Sequence, residues 1–200
     1  MIDQEYTWDK RLNIHTTGRD DLYADQYHHP YEPTPYCILE RLANSGLIRE
    51  DDVVLDYGCG KGRVSFFLSN QVNAKTIGID YDTRMYQAAL ANLSTSSCTE
   101  NISFYCANAE RFDVPKDVNR CYFFNPFSVE TLQSAISRII QSFYDAPREI
   151  LLFFYYPVDE YISYLMTVNE LDFYDEIECD DLFKRDVRER ILIFQLSEFC

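Results

Sequence analysis

The stretch Asp52-Val53-Val54-Leu55-Asp56-Tyr57-Gly58-Cys59-Gly60-Lys61-Gly62-Arg63 holds the residues best suited to chemistry: an apolar run ending in an acid, then glycines at alternate positions. Val53 to Leu55 read as a short buried strand, and the glycines permit a tight bend in which the backbone approaches a ligand with no Cβ in the way. A helix then opens over 62–70. A dinucleotide fingerprint, G-x-G-x-x-G, sets its third glycine three places after the second. Here Gly62 comes two places after Gly60. Asp56 would repel a diphosphate, yet it suits the ammonium of an amino-acid moiety. The expected chemistry is therefore cofactor binding at a strand end.

On these residues the chain resembles the class I S-adenosylmethionine-dependent methyltransferases, whose first motif runs hydrophobic-hydrophobic-D-x-G-x-G-x-G, as Val54 to Gly62 do. The family also ends its second strand in an acid that holds the ribose hydroxyls, and Thr76-Ile77-Gly78-Ile79-Asp80 supplies one; a carboxylate can accept from both hydroxyls at once. After strand three the family has an acid beside the adenine. Here Asn108, within Cys106-Ala107-Asn108-Ala109-Glu110, takes that place, with an amide oxygen able to accept from the adenine amino group. The resemblance implies a cofactor set of Asp56, Tyr57, Gly58, Gly60, Gly62, Asp80, Tyr81, Asn108, Ala109, Asn125 and Tyr31. Tyr31 and Tyr36 are expected to close over the methionine end.

At the end of strand four, Asn125-Pro126-Phe127 looks like a shortened D/N-P-P-Y/F motif of amino-group methyltransferases. By that resemblance Asn125 orients an amine and Phe127 stacks on the substrate, while the missing second proline alters the turn. The alternative is a strand-ending turn with a core phenylalanine. His28 and His29 are two of only three histidines, and His29 is the candidate general base if the arm folds over the cofactor. Methyl transfer is an in-line displacement, so orienting a lone pair and excluding water matter more than a strong acid.

These residues need a scaffold, and the pattern alternates in a way that provides one. Strands are expected at 53–56, 75–79, 102–106, 120–124 and 149–156, with helices at 62–70, 82–93 and 128–144, a parallel sheet covered on both faces. A helix around 158–168 and strands Leu171–Ile177 and Arg190–Leu196 follow. Met85, Ala89 and Leu93 share one helix face, as do Leu132, Ile136, Ile139 and Phe143. Asp82 and Ser128 read as N-caps. Thr34-Pro35 reads as a cap and first turn for a helix carrying Ile38, Leu39 and Leu42. Residues 1–33 read as a capping arm, and 1–46 as an arm and helix over the cofactor site. Glu178 to Glu189 reads as an exposed excursion. By resemblance the architecture is a Rossmann-like three-layer α/β/α sandwich, its mostly parallel seven-stranded sheet having the last strand antiparallel between strands five and six.

The 200 residues fit one domain, 1–200, able to bury roughly 70% of its unfolded surface. A net charge of −15 argues against nucleic acid and against an anionic membrane surface, because phosphate binding draws on lysine and arginine. The stretch Met1-Ile2-Asp3-Gln4-Glu5 lacks the basic and apolar regions of a secretory signal, and the longest apolar run, 150–158, is far below the roughly 20 residues of a membrane helix. A soluble, cytoplasmic protein is expected. Seven cysteines without C-x-x-C spacing suggest neither a disulfide frame nor a metal site. Cys59, Cys106 and Cys121 are expected to be small core residues. Lys61 and Arg63 either meet an anionic substrate or lie exposed at a helix start. The leading expectation is a methyltransferase using S-adenosyl-L-methionine on an N or O nucleophile of a small molecule or protein side chain. A non-catalytic binding module and an NAD(P)-dependent oxidoreductase are the alternatives.

Overall fold

The computed structural model describes residues 2–19, 31–97, 99–184 and 186–196. Its centre is a seven-stranded sheet of order β3-β2-β1-β4-β5-β7-β6. The strands are β1 (Val53–Tyr57), β2 (Lys75–Asp80), β3 (Ile102–Cys106), β4 (Arg120–Phe123), β5 (Ile150–Tyr155), β6 (Leu171–Glu178) and β7 (Arg190–Leu196). β1 to β5 are paired in parallel, and β7 runs antiparallel between β5 and β6. β1, β4 and β5 are buried along their whole length, which is why they are continuous apolar runs rather than alternating ones.

Side chains alternate across this sheet, so its two faces build two cores. On one face Val54, Tyr122, Phe153 and Ile193 pack with Trp8 of α1 (Ile2–Leu12), Ile38 and Leu39 of α2 (Tyr36–Asn44), and Phe66 and Phe67 of α3 (Arg63–Val72). Ala89 of α4 (Thr83–Thr95) joins the same core. On the other face Leu55, Phe123, Leu152 and Phe154 meet Leu132, Ile136 and Ile139 of α5 (Val129–Asp145) and Tyr161 of α6 (Asp159–Leu165). The result is the three-layer α/β/α sandwich. Across β1, β4 and β5 a ring ladder runs through Tyr57, Phe123 and Phe154, stacked at 4.6 and 4.7 Å. Such pairs add to burial about 0.5–1.5 kcal/mol each.

Local expectations and structure part company in few places. Asp82 caps α4 by accepting from the Arg84 amide at 2.8 Å, but Ser128 precedes α5 without a side-chain cap bond. Pro35, not Thr34, is the cap of α2, because the Thr34 hydroxyl is buried against the Tyr122 hydroxyl at 3.0 Å. The N-terminal residues form a true helix, α1, whose Glu5, Trp8, Asp9 and Leu12 recur at helical spacing. Because two of those four are acids, the stripe does not read as apolar. The described residues of the 178–189 excursion are as often half-buried as exposed, Cys179 is buried, and Asp181 pairs with Arg41 of α2 at 2.5 Å. Edge strand β6 is interrupted between Phe173 and Asp175 and carries exposed acids, features that discourage pairing with another chain.

Candidate functional site

Strand order reverses between β1 and β4, and in open α/β sheets ligands bind there, beyond the carboxyl ends. A cavity of about 250 Å³ opens at that point, lined by Asp56, Gly58, Asp80, Tyr81, Ala109 and Asn125 among others. Tyr31 to Thr34 form one wall. Asp56 ends β1 with 3% of its surface exposed, and its Oδ2 has no hydrogen-bond partner. Burial, and secondarily the Asp80 carboxylate, push its pKa up to about 8. A buried carboxylate of this kind is short of a positive charge, and a cationic ligand would supply one. Asp80 is held by backbone amides: Oδ2 accepts from Gly60 at 2.9 Å and Oδ1 from Asp82 at 2.9 Å.

The glycine turn is tied to β2, because the amides of Gly58 and Cys59 both donate to the Ile79 carbonyl, at 2.9 and 3.0 Å. Gly58 lines the cavity, whereas Gly60 and Gly62 are packing positions: the Tyr31 ring covers Gly60, and Phe104 lies where a Cβ on Gly62 would go. Tyr31 donates its hydroxyl to the Thr16 carbonyl at 2.6 Å, and the Lys61 ammonium sits 4.7 Å from its ring centre. Cys59 is buried, its thiol held protonated by burial and by the carboxylates of Asp56 and Asp80, so it is no nucleophile. Cys121 is a core residue as expected, but Cys106 is exposed at the end of the outer strand β3.

At the end of β4, Asn125 adopts φ +40°, and the neighbouring Tyr156 beyond β5 adopts φ +48°. Asn125 Nδ2 donates to the Tyr156 carbonyl at 2.6 Å. Only the nitrogen can donate there, so the amide orientation is set. The other amide atom, Oδ1, is buried without a hydrogen-bond partner. The Tyr156 ring is gripped in turn by Arg188, 4.8 Å above it, and by Asp186, 3.2 Å from its hydroxyl.

Several expected site residues combine a place on the cavity wall with a packing or turn role, and others lie away from it. Phe127 is buried edge-on against Tyr57 and Phe123, both at 6.4 Å, so it packs as a core ring while also lining the cavity. Tyr57 turns its ring into the same core. Tyr36 does not line the cavity: it is fully buried, donates to Asp9 Oδ1 at 2.6 Å and lies under the Arg63 guanidinium. Asn108 lines the cavity on its exposed side, and its Oδ1 accepts from the Glu110 amide at 2.8 Å, the geometry of a turn-forming asparagine. His28 and His29 lie outside the described residues. Arg63 neither faces solvent nor stands unpaired; it is 2% exposed and bound to Glu5, Asp9, Thr16 and Thr34. Sequence reasoning missed Thr34, Tyr122 and Phe124 as cavity walls, since their apolar or turn context carries no chemical signal. Among the described residues no cluster of His, Cys, Asp or Glu is arranged to hold a metal, and no helix is long and apolar enough to cross a membrane.

A family model described as a methyltransferase domain matches residues 54–146, just under half of the chain, from β1 through α5. A protein-lysine N-methyltransferase of Saccharolobus islandicus is 31% identical over 88 residues, 44% of this chain and 55% of that protein. A probable ribosomal RNA small subunit methyltransferase A of Methanopyrus kandleri is 29% identical over 94 residues, 47% of this chain and 32% of that protein. The match thus spans about half, or less, of these relatives' length. The RNA methyltransferase of Salinibacter ruber, solved with S-adenosyl-L-homocysteine, shares the fold at a TM-score of 0.58 and 14% identity, covering 84% of this chain and 96% of that one. Residues 54–146 thus match a methyltransferase domain, and the sheet order and glycine motif agree with the fold of the class I S-adenosylmethionine-dependent methyltransferases.

The exclusion of nucleic acid drawn from net charge is overturned by the same relatives, which include RNA methyltransferases on this fold. Net charge sums the whole surface, whereas an acceptor is met by one face at the strand ends.

Proposed function

We propose that the protein transfers the methyl group of S-adenosyl-L-methionine to an amino nitrogen of its acceptor. The observation that carries this reading is the Asn125 amide. Its nitrogen is occupied by the Tyr156 carbonyl, its oxygen is unpartnered, and the residue lines the same cavity as Asp56 and Asp80. An acceptor oxygen there suits an N–H, which it would orient so that the nitrogen lone pair faces the donor. The cofactor, when bound, supplies an electrophilic methyl on a sulfonium. Asp56 would answer the ammonium of its methionine part, Asp80 would accept from the ribose hydroxyls, and Tyr81 and Ala109 would help hold the adenine. Gly58 lets the backbone approach, while Tyr31 closes the turn from above. The relative named as a protein-lysine N-methyltransferase supports nitrogen as the nucleophile.

The test begins with calorimetric binding of S-adenosyl-L-homocysteine, followed by transfer of a labelled methyl group into amines, protein fractions and RNA fractions. Asp80→Ala should weaken ligand binding strongly. Asn125→Ala should lower turnover by about 10²-fold, the usual cost of one positioned hydrogen-bonding group, with ligand affinity kept. Label found on oxygen or carbon alone would refute the nitrogen assignment. Binding with no labelled acceptor in any fraction would favour a non-catalytic module.

A further inference from the structure

We infer that Arg63 is a positioning residue for the cofactor pocket, holding the N-terminal segment so that Tyr31 and Thr34 close the cavity wall beside the glycine turn. Arg63 is the first residue of α3, where the helix dipole disfavours a cation, and its guanidinium is buried, which is costly unless paired. The pairing comes from residues that precede the domain's first strand. Glu5 and Asp9 of α1 supply the charges, Thr16 Oγ1 accepts from Nε at 2.7 Å, and the Thr34 carbonyl accepts from Nη1 at 3.2 Å. Asp9 is itself fixed by the Thr16 amide and hydroxyl at 2.7 and 2.6 Å. Burial raises its pKa, but the hydrogen bonds from Thr16 and Tyr36 outweigh that and hold it below the usual range, so the pair stays charged.

Thr16 and Thr34 stand on either side of Tyr31 in the chain, and Arg63 grips both. Tyr31 returns its hydroxyl to the Thr16 carbonyl at 2.6 Å, and Thr34 meets Tyr122 at 3.0 Å, so the cavity wall is secured at each end. Ligand binding and docking of the segment are then linked, and linkage is reciprocal: whatever the ligand gains from the closed wall, it returns as tighter docking. This inference rests on the cofactor reading above.

Hydrogen exchange of the full chain, with and without S-adenosyl-L-homocysteine, tests it, together with calorimetry on wild type, Arg63→Lys and Thr16→Val. Arg63 itself lines the cavity whereas Thr16 does not, so Thr16→Val separates positioning from direct contact. With linkage, ligand slows exchange of the 14–17 amides in wild type, and both variants bind about tenfold more weakly while keeping a wild-type circular dichroism spectrum. If wild type binds with no protection at 14–17 and the variants bind equally well, Arg63 is purely structural and the inference is overturned, with the cofactor reading intact. If wild type shows no binding heat at all, the cofactor reading fails and takes this one with it. Should Arg63→Lys not fold, Thr16→Val and the wild-type exchange still decide.

Discussion

Asp56 is the cavity carboxylate whose titration burial shifts far from its ordinary value. Its carboxyl is buried, its Oδ2 lacks a partner, and its pKa is pushed up to about 8 by burial and then by Asp80. In the unfolded chain the same group would titrate near 3.8. Between these values the folded protein holds a proton that the unfolded chain has lost, so this group's contribution to stability falls as pH rises through that window. One proton corresponds to about 1.4 kcal/mol per pH unit. Urea denaturation of the ligand-free protein from pH 5 to 8 should show wild type losing stability relative to Asp56→Asn as pH rises. Parallel curves would mean that Asp56 is ionised throughout. The proposed role of this residue is consistent with that shift, since a cation entering the cavity would favour loss of the proton and pair with the carboxylate.

The glycine turn works as an element because β3 comes up underneath it. Gly62 has φ +89°, and a Cβ there would lie 2.5 Å from the Phe104 ring. Gly62→Ala therefore combines a strained backbone with overpacking, about 1 kcal/mol for the first and 1–3 for the second. A loss of about 2–4 kcal/mol in denaturation is expected; a loss under about 0.5 kcal/mol would show that Phe104 moves aside freely. Helix α1 matters at this scale too. Trp8 packs edge-on to Phe67 at 4.9 Å and donates to Glu40 at 2.8 Å, so α1 is part of the core and not a loose arm. The β6–β7 connection acts on the opposite side of the site, where Asp186 and Arg188 hold the Tyr156 ring whose carbonyl orients Asn125.

For the molecule as a whole, the charge of −15 is a statement about self-repulsion more than about partners. Screening should relieve it, so raising salt from about 10 to about 200 mM, where the Debye length falls well below the molecular diameter, is expected to stabilise the protein. A fall in denaturation midpoint with salt would instead mean that exposed pairs such as Lys75–Asp117, at 2.8 Å, outweigh the repulsion. The buried Arg63 cluster should respond little, being shielded from ions. Acceptor recognition belongs to the face around the cavity, and relatives on this scaffold include both a protein-lysine and an RNA methyltransferase.

What the sequence by itself determined was whatever depends on neighbours along the chain. The continuous runs of β1 and β5, the helical stripes of α4 and α5, the glycine spacing and the acids at two strand ends were all readable to within a residue or two. Burial periodicity and turn chemistry are local, so local pattern reveals them. The tertiary structure alone decided which polar groups face inward. Arg63 reads as an exposed helix start because its neutralising acids lie on α1, more than fifty positions earlier. Tyr36 reads as a ligand contact, yet packing claims it for Asp9, while Phe127 both lines the cavity and packs on the ring ladder. Asn108 and Asn125 are the same residue type at similar strand ends. One closes a local turn with Glu110; the other is turned by a carbonyl thirty-one residues away and keeps an oxygen unpartnered, a distinction that exists only once β4 and β5 lie side by side.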